Sequence, residues 1–226
     1  MSSNGRAVDP PRTAIVLRPI GSGLPLGFFS FGIGMLILGC QATGWIPVTE
    51  QHDGGMILMS FVFPLELVAT IFAFLARDTL GATTLGLFTT SWLALGWTEL
   101  ASTPGKTSVT LGIYLFGFAA VALLLALLST AGKPFFSALL TLATTRMVLS
   151  GAWEVGAGKE LYRVSGGFGI ALAALALYGG VALGLEDAQQ REVLPLFRRG
   201  AAAESFEGLE RQLERIEAEP GVRQQL

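Results

Sequence analysis

The chain has 226 residues, 51% of them hydrophobic and only 14% charged, with a net charge of -2 and a mean hydropathy of +0.58. Soluble domains carry about 25% charged residues, so this composition makes a lipid bilayer the expected solvent, and without a Lys/Arg cluster interleaved with aromatics it excludes nucleic acid as a partner. The single cysteine, Cys40, excludes an intramolecular disulfide and a Cys-based zinc site, and the single histidine, His52, lies in the polar stretch Glu50 to Asp53 with no clustered metal partners.

In chain order, residues 1–20 are polar, carry Arg6, Arg12 and Arg18, and lack the compact apolar core of a cleavable signal. A spanning helix needs about 20 apolar residues, and six charge-poor segments provide them. The first runs from about Leu24 to Ile46, with Pro25 at its start, where a missing N–H costs nothing. The second, Gly54 to Leu75, contains one charge, Glu66. The third, Gly81 to Thr98, lies between Asp78 and Glu99. The fourth covers Ser108 to Ala131, and the fifth runs from Pro134 to Trp153 with one charge, Arg146. The sixth, Val164 to Leu185, ends at Glu186 and Asp187. Residues 21–187 thus form the transmembrane domain and 188–226 a C-terminal tail. In that tail Phe206, Leu209, Leu213 and Ile216 recur at helical spacing, which reads either as a short amphipathic helix over 203–218 that contacts another subunit or as a frayed solvated tail.

Orientation follows from Lys and Arg, which concentrate on the cytoplasmic side. With the N-terminus inside, that side holds Arg6, Arg12, Arg18, Arg77, Lys133, Arg191, Arg198 and Arg199, against Lys106, Lys159 and Arg163 on the other. Both termini are therefore expected in the cytoplasm, with the spans in the plasma (inner) membrane.

Leu26-Gly-Phe-Phe-Ser-Phe-Gly-Ile-Gly34 and Leu111-Gly-Ile-Tyr-Leu-Phe-Gly-Phe-Ala119 share one pattern, and the same offset carries Gly81 onto Gly166. A three-helix unit copied once comes out upside down, which gives a 3+3 inverted repeat with a substrate path at its interface. Chance likeness between Gly- and aromatic-rich spans is the competing explanation. The fold class expected is all-α, with six transmembrane helices.

An ionisable residue inside a span is expensive and is a functional hypothesis by default. Glu66, just after the helix-distorting Pro64, and Arg146, within Thr144-Thr-Arg146, are the two such residues. Either they line a conduction path, Arg146 attracting an anion while Glu66 titrates or gates, or they form a structural ion pair between the repeats. Small residues such as Gly180-Val-Ala-Leu-Gly184 and the run from Gly166 to Ala176 mark close helix packing. No nucleophile elbow, zinc-protease motif or phosphate-binding loop is present, so no enzyme, metal or cofactor is expected.

Several strings together resemble the acetate uptake transporter family. Leu24-Pro25-Leu26-Gly27-Phe28 resembles the end of its Asn-Pro-Ala-Pro-Leu-Gly-Leu signature, and Asp78-Thr79-Leu80-Gly81-Ala82-Thr83 resembles its Asn-Thr-Phe-Gly-Ala-Thr. Trp92-Leu93, Leu111 to Leu115, Tyr178 and Val193-Leu194-Pro195 follow in the family's order, so the likeness runs from about Gly21 to Leu196. It implies a homohexamer with a path through each protomer, narrowed at Phe31, Phe88 and Leu142, and passage of small carboxylates such as acetate or succinate. The polar positions depart from the family: Ser22, Gly23, Glu66, Ala73 and Asp78 stand where it has Asn, Pro, Gln, Glu and Asn, Phe88 replaces a tyrosine, and Arg146 lies in a normally apolar span. The leading functional reading is a channel or proton-coupled symporter for small monocarboxylates. The alternative is a non-transporting sensor or assembly protein that acts through the C-terminal tail.

Overall fold

A computed structural model describes residues 21–76, 78–189 and 191–200. The N-terminal tail and the candidate helix over 203–218 lie outside the described residues. Six long helical segments follow one another with short connections. Helix α1 is Leu24–Thr43, α2 is Val48–Leu75, α3 is Thr79–Ala101, α4 is Val109–Ser129, α5 is Pro134–Glu154 and α6 is Lys159–Gln189. Five of them are long and apolar enough to cross a membrane. The remaining one, α3, has 23 residues and is more polar through its threonines. Several of its hydroxyls bond back within the helix: Thr84 donates to Leu80 O at 2.9 Å, Ser91 to Phe88 O at 2.7 Å and Thr98 to Ala94 O at 2.7 Å. Such back-bonding lets a hydroxyl-rich helix lie in an apolar medium.

Local chemistry explains most ends. α1 stops at Gly44, whose φ of 87° is open to glycine and whose N–H returns to Cys40 O and Gln41 O. Asp78 caps α3 by accepting from Gly81 N at 3.0 Å, and Ser108 caps α4 by accepting from Leu111 N at 3.3 Å. α2 begins earlier than its hydropathy suggests, with a 3-10 turn at Val48–Glu50, because Gln51 is anchored to α3 rather than exposed to lipid. It is also not a uniform helix: Leu58–Val62 forms a π-turn in which Phe63 N–H reaches Leu58 O. Pro64 supplies the cause, since it has no N–H to continue the regular ladder. α6 extends past both predicted ends, and its first turns carry the polar residues Lys159, Glu160 and Arg163.

α1 packs along α6, α4 along α5 and α2 along α3, with α5 also against α6. Glycines set the closest crossings. A Cβ on Gly166 would fall 2.7 Å from Thr43 N, and one on Gly39 would fall 2.9 Å from Ile170 N, so backbone meets backbone where α1 crosses α6. The strings beginning at Leu26 and Leu111 also share a packing pattern. A Cβ on Gly27 would lie 3.2 Å from Ala69 Cβ, and one on Gly112 would lie 3.2 Å from Glu154 Cβ; both partners move by the same sequence offset. The α1–α2 and α4–α5 crossings are thus equivalent at these glycines, as an inverted repeat requires. Outward faces are apolar, with Ile71, Phe74, Leu75, Ile113, Leu124, Leu127 and Leu128 at least half exposed. On a soluble monomer such a surface would aggregate; here it suits lipid or neighbouring subunits.

Beyond the last helix the chain turns back over the end of the bundle that carries the α2–α3 and α4–α5 connections. Tyr178 Oη donates to Pro195 O at 3.0 Å, Arg199 N donates to Gly132 O at 2.9 Å, Arg198 pairs with Glu186, and Leu196 is buried. Val193-Leu194-Pro195 is therefore a strap that tyrosine holds by its backbone.

The glycine pair Gly166-Gly167 tests this packing. Gly166→Ala should destabilise the detergent-purified protein by about 1–3 kcal/mol because backbone cannot yield to the added methyl. Gly167→Ala, where nothing lies within 4 Å of the new Cβ, should be neutral or gain up to about 1 kcal/mol from helix propensity. Thermal unfolding of the two variants checks it.

Candidate functional site

The loops joining α1 to α2, α3 to α4 and α5 to α6 surround a cavity of about 840 Å³ at the end of the bundle opposite the strap. Its lining includes Gln41 at the end of α1, Glu99 near the end of α3, Arg146 and Ser150 in α5, and Tyr162 in α6. Four cations, Lys106, Arg146, Lys159 and Arg163, face two carboxylates, Glu99 and Glu154, so the lining is net positive. Positive lining in a cleft of low-dielectric walls concentrates anions.

Arg146 is the deepest of these cations, only 6% exposed. Its Nε is buried without a partner, and among the described residues no hydrogen bond or ion pair reaches its guanidinium. Room for it comes from glycine: a Cβ on Gly169 would lie 3.0 Å from Arg146 Nε and 3.0 Å from Gly39 Cα. Among its nitrogens only Nε is both buried and unpartnered, and the side chain lines the open cavity, so an incoming anion could supply it a charge-assisted partner.

Around it the polar groups are held in place. Gln41 Nε2 donates to Glu99 Oε2 at 3.5 Å, and Gly54 leaves the space that the Gln41 amide occupies. Gln51 Nε2 donates to Glu99 O at 3.3 Å and to Ser102 Oγ at 3.0 Å, while its Oε1 accepts from Gly105 N at 2.9 Å, which pins the α3–α4 loop over the cavity. Glu154 Oε2 accepts from Ser108 N at 2.7 Å. Trp153 stacks on Tyr162 with ring centroids 4.0 Å apart, and Ser150 Oγ donates to Ser165 Oγ at 3.0 Å.

Below the cavity the bundle closes. Leu38 and Leu115 belong both to the cavity wall and to the apolar cluster that contains Phe31 and Phe88. Phe31 meets Phe88 edge-on with centroids 5.2 Å apart, and Phe88 meets Phe118 at 4.9 Å. Trp92 adds a fourth ring, 5.8 Å from Phe31. Edge-to-face and tilted contacts hold these rings in register. Leu142 is half-buried and packs against the edge of this cluster. Of the three narrowing residues that the resemblance implies, the structure therefore joins Phe31 and Phe88 directly and leaves Leu142 at the margin.

The structure does not bring Glu66 and Arg146 together. Glu66 is fully buried, and its Oε2 accepts from Trp92 Nε1 at 2.6 Å while Oε1 has no partner. One turn further along α2, Thr70 Oγ1 donates to Glu66 O at 2.8 Å and lies 3.1 Å from Thr89 Oγ1. Arg146 instead lies within electrostatic reach of Glu99 and Tyr162. The structural pair between repeats is thus replaced by two separate sites, a carboxyl beneath an indole and a guanidinium on a cavity floor. The reason is azimuth: α2 turns Glu66 toward α3, whereas α5 turns Arg146 toward α6.

The signature residues do structural work at the helix starts. Gly27 admits Leu85 and Ala69, while Pro25 and Leu26 form the first turn of α1. Gly81 has no room for a Cβ because the Asp78 carboxylate lies over it, and that carboxylate also binds Lys133 Nζ at 2.7 and 2.6 Å. Ala82 is fully buried against Ala69, Ala73 and Leu85, and Thr83 faces outward. Gln41, Glu99, Tyr162, Trp92 and Phe118 went unnoticed as site residues. Their signal was topological: Gln41, Glu99 and Tyr162 all stand at helix ends on one side of the membrane.

A bundle of membrane-length helices, with a cationic cavity at one end that leads to an aromatic cluster, defines a multi-pass membrane protein. The chain belongs to the GPR1/FUN34/yaaH family, whose model matches residues 5–195. It shares the fold of the bacterial acetate channel SatP, with a TM-score of 0.71 and 19% identity over 79% of this chain and 99% of that one. No curated protein matches its sequence.

The buried Glu66 site yields a stability prediction. Glu66→Gln keeps an acceptor for Trp92 Nε1 and should be at least as stable as the parent in thermal unfolding. Trp92→Phe removes the donor and strands a buried carboxyl, which should cost about 1–3 kcal/mol.

Proposed function

We propose that this protein passes small monocarboxylates, acetate among them, across the plasma membrane by a path through each protomer, with both termini cytoplasmic and the protomers assembled as a homohexamer. The observation that carries the reading is Arg146, a buried side chain with no hydrogen-bond or ion-pair partner among the described residues, on the floor of a net-positive cavity. The cavity gathers anions, the guanidinium replaces part of the water that a carboxylate sheds, and Phe31 and Phe88 admit only a small, largely desolvated solute. Membership of a family that has a bacterial acetate channel as a fold relative supports the substrate class.

Uptake of labelled acetate into proteoliposomes tests this. Flux above that of empty liposomes is expected, and Arg146→Gln should lower it about tenfold at subsaturating acetate, the worth of one charge-assisted contact. Stimulation by an inward proton gradient identifies symport, and insensitivity identifies a channel. Equal uptake by loaded and empty liposomes would contradict the proposal.

A further inference from the structure

The cavity floor holds opposite charges that do not meet. Glu99 and Arg146 line the same space and each feels the other's charge, yet no ion pair closes between them. Both are restrained from collapsing together. Glu99 is tethered toward α1 by the Gln41 amide and, through its own carbonyl, toward α2 by Gln51. Arg146 is held beside Gly169, where a side chain would meet its Nε. Between them the cavity also offers the Tyr162 ring, which stacks on Trp153, and the Ser150 hydroxyl.

A plain fatty acid would satisfy only half of such a site. Its carboxylate would neutralise Arg146, while its methyl or methylene would face the Glu99 carboxyl with nothing to donate. A carboxylate bearing a donor on the adjacent carbon satisfies both ends at once. From the held-apart pair Arg146 and Glu99 we infer that the cavity is a selectivity site for small carboxylates with a hydrogen-bond donor at the 2-position, either a 2-hydroxy acid or a 2-amino acid. The inference deepens the reading of this protein as a carboxylate passage and names the site's preferred ligand class. The carboxylate binds the vacant guanidinium, and the hydroxyl or ammonium donates to Glu99. Sites built to bond a ligand's O–H or N–H reject the analogue that lacks it far more strongly than apolar pockets distinguish one methylene, because the site's polar group is left unpaired. Selectivity would therefore be set in the cavity, above the rings, and not by the rings alone.

Propionate, lactate and alanine differ only at the 2-position, so they isolate the effect. Calorimetric binding to the purified full-length protein should show lactate or alanine binding at least about tenfold more tightly than propionate, the worth of one hydrogen bond to a charged acceptor. Preference for lactate assigns Glu99 to a hydroxyl, and preference for alanine assigns it to an ammonium. Glu99→Ala should bring the three affinities to within about twofold of one another while keeping propionate binding; Arg146→Met should lose all three. Equal affinities of the unmodified protein for the three acids would overturn the inference, and this comparison needs no variant to fold. Labelled-acetate flux is read separately. Flux with no 2-position preference leaves the passage reading standing and sinks this one, and preference without flux does the reverse.

Discussion

The close crossing of α1 and α6 is the constraint on which the rest of the structure depends. At Gly39, Gly166 and Gly169 the two helices approach until backbone touches backbone, and Gly169 also leaves the gap that Arg146 fills. In lipid there is no hydrophobic force to bring helices together, so close packing of small residues carries the association. The consequence here is chemical as well as structural. A side chain at residue 169 would displace the guanidinium from the cavity floor, and the first and last helices would no longer bracket it.

From that crossing the layering of the bundle follows. One end of the bundle carries polar and charged residues at the ends of α1, α3, α5 and α6, tied together by Gln51, Gln41 and Glu154. The middle is aromatic, with Phe31, Phe88, Phe118 and Trp92 in mutual contact. The far end is closed by other means: a second aromatic group of Phe28, Phe135 and Tyr178, the Asp78–Lys133 pair and the strap through Pro195. A polar end, an aromatic middle and a closed far end are thus stacked along the bundle, each drawing on several helices.

Much of this was legible in the sequence because the bilayer imposes a simple rule on it. Charge-poor intervals located all six helices, and Pro64 marked the irregular turn in α2. Azimuth was not legible. Glu66 and Arg146 stood out as the two charges inside spans, but nothing in a linear pattern says that one faces an indole on α3 and the other a cavity beside α6. Glu99 was hidden for the opposite reason. As a charge at the edge of an apolar run it served to bound a helix, and only the folded bundle turns that boundary into the wall of a cavity opposite Arg146.

The central claim is that the cavity leading to Ser150 and Arg146 is an anion-selective approach to the path, and cysteine reactivity measures this most directly. In a Cys40→Ser background, Ser150→Cys places one thiol on the cavity floor, in a position now 6% exposed. The account predicts that a sulfonate-bearing methanethiosulfonate labels this thiol faster than a trimethylammonium-bearing one, relative to the same pair of reagents on Thr107→Cys in the loop above. It also predicts that the preference disappears when Arg146 is changed to Met. Faster labelling by the cationic reagent, or no labelling of Ser150→Cys by either, would contradict it.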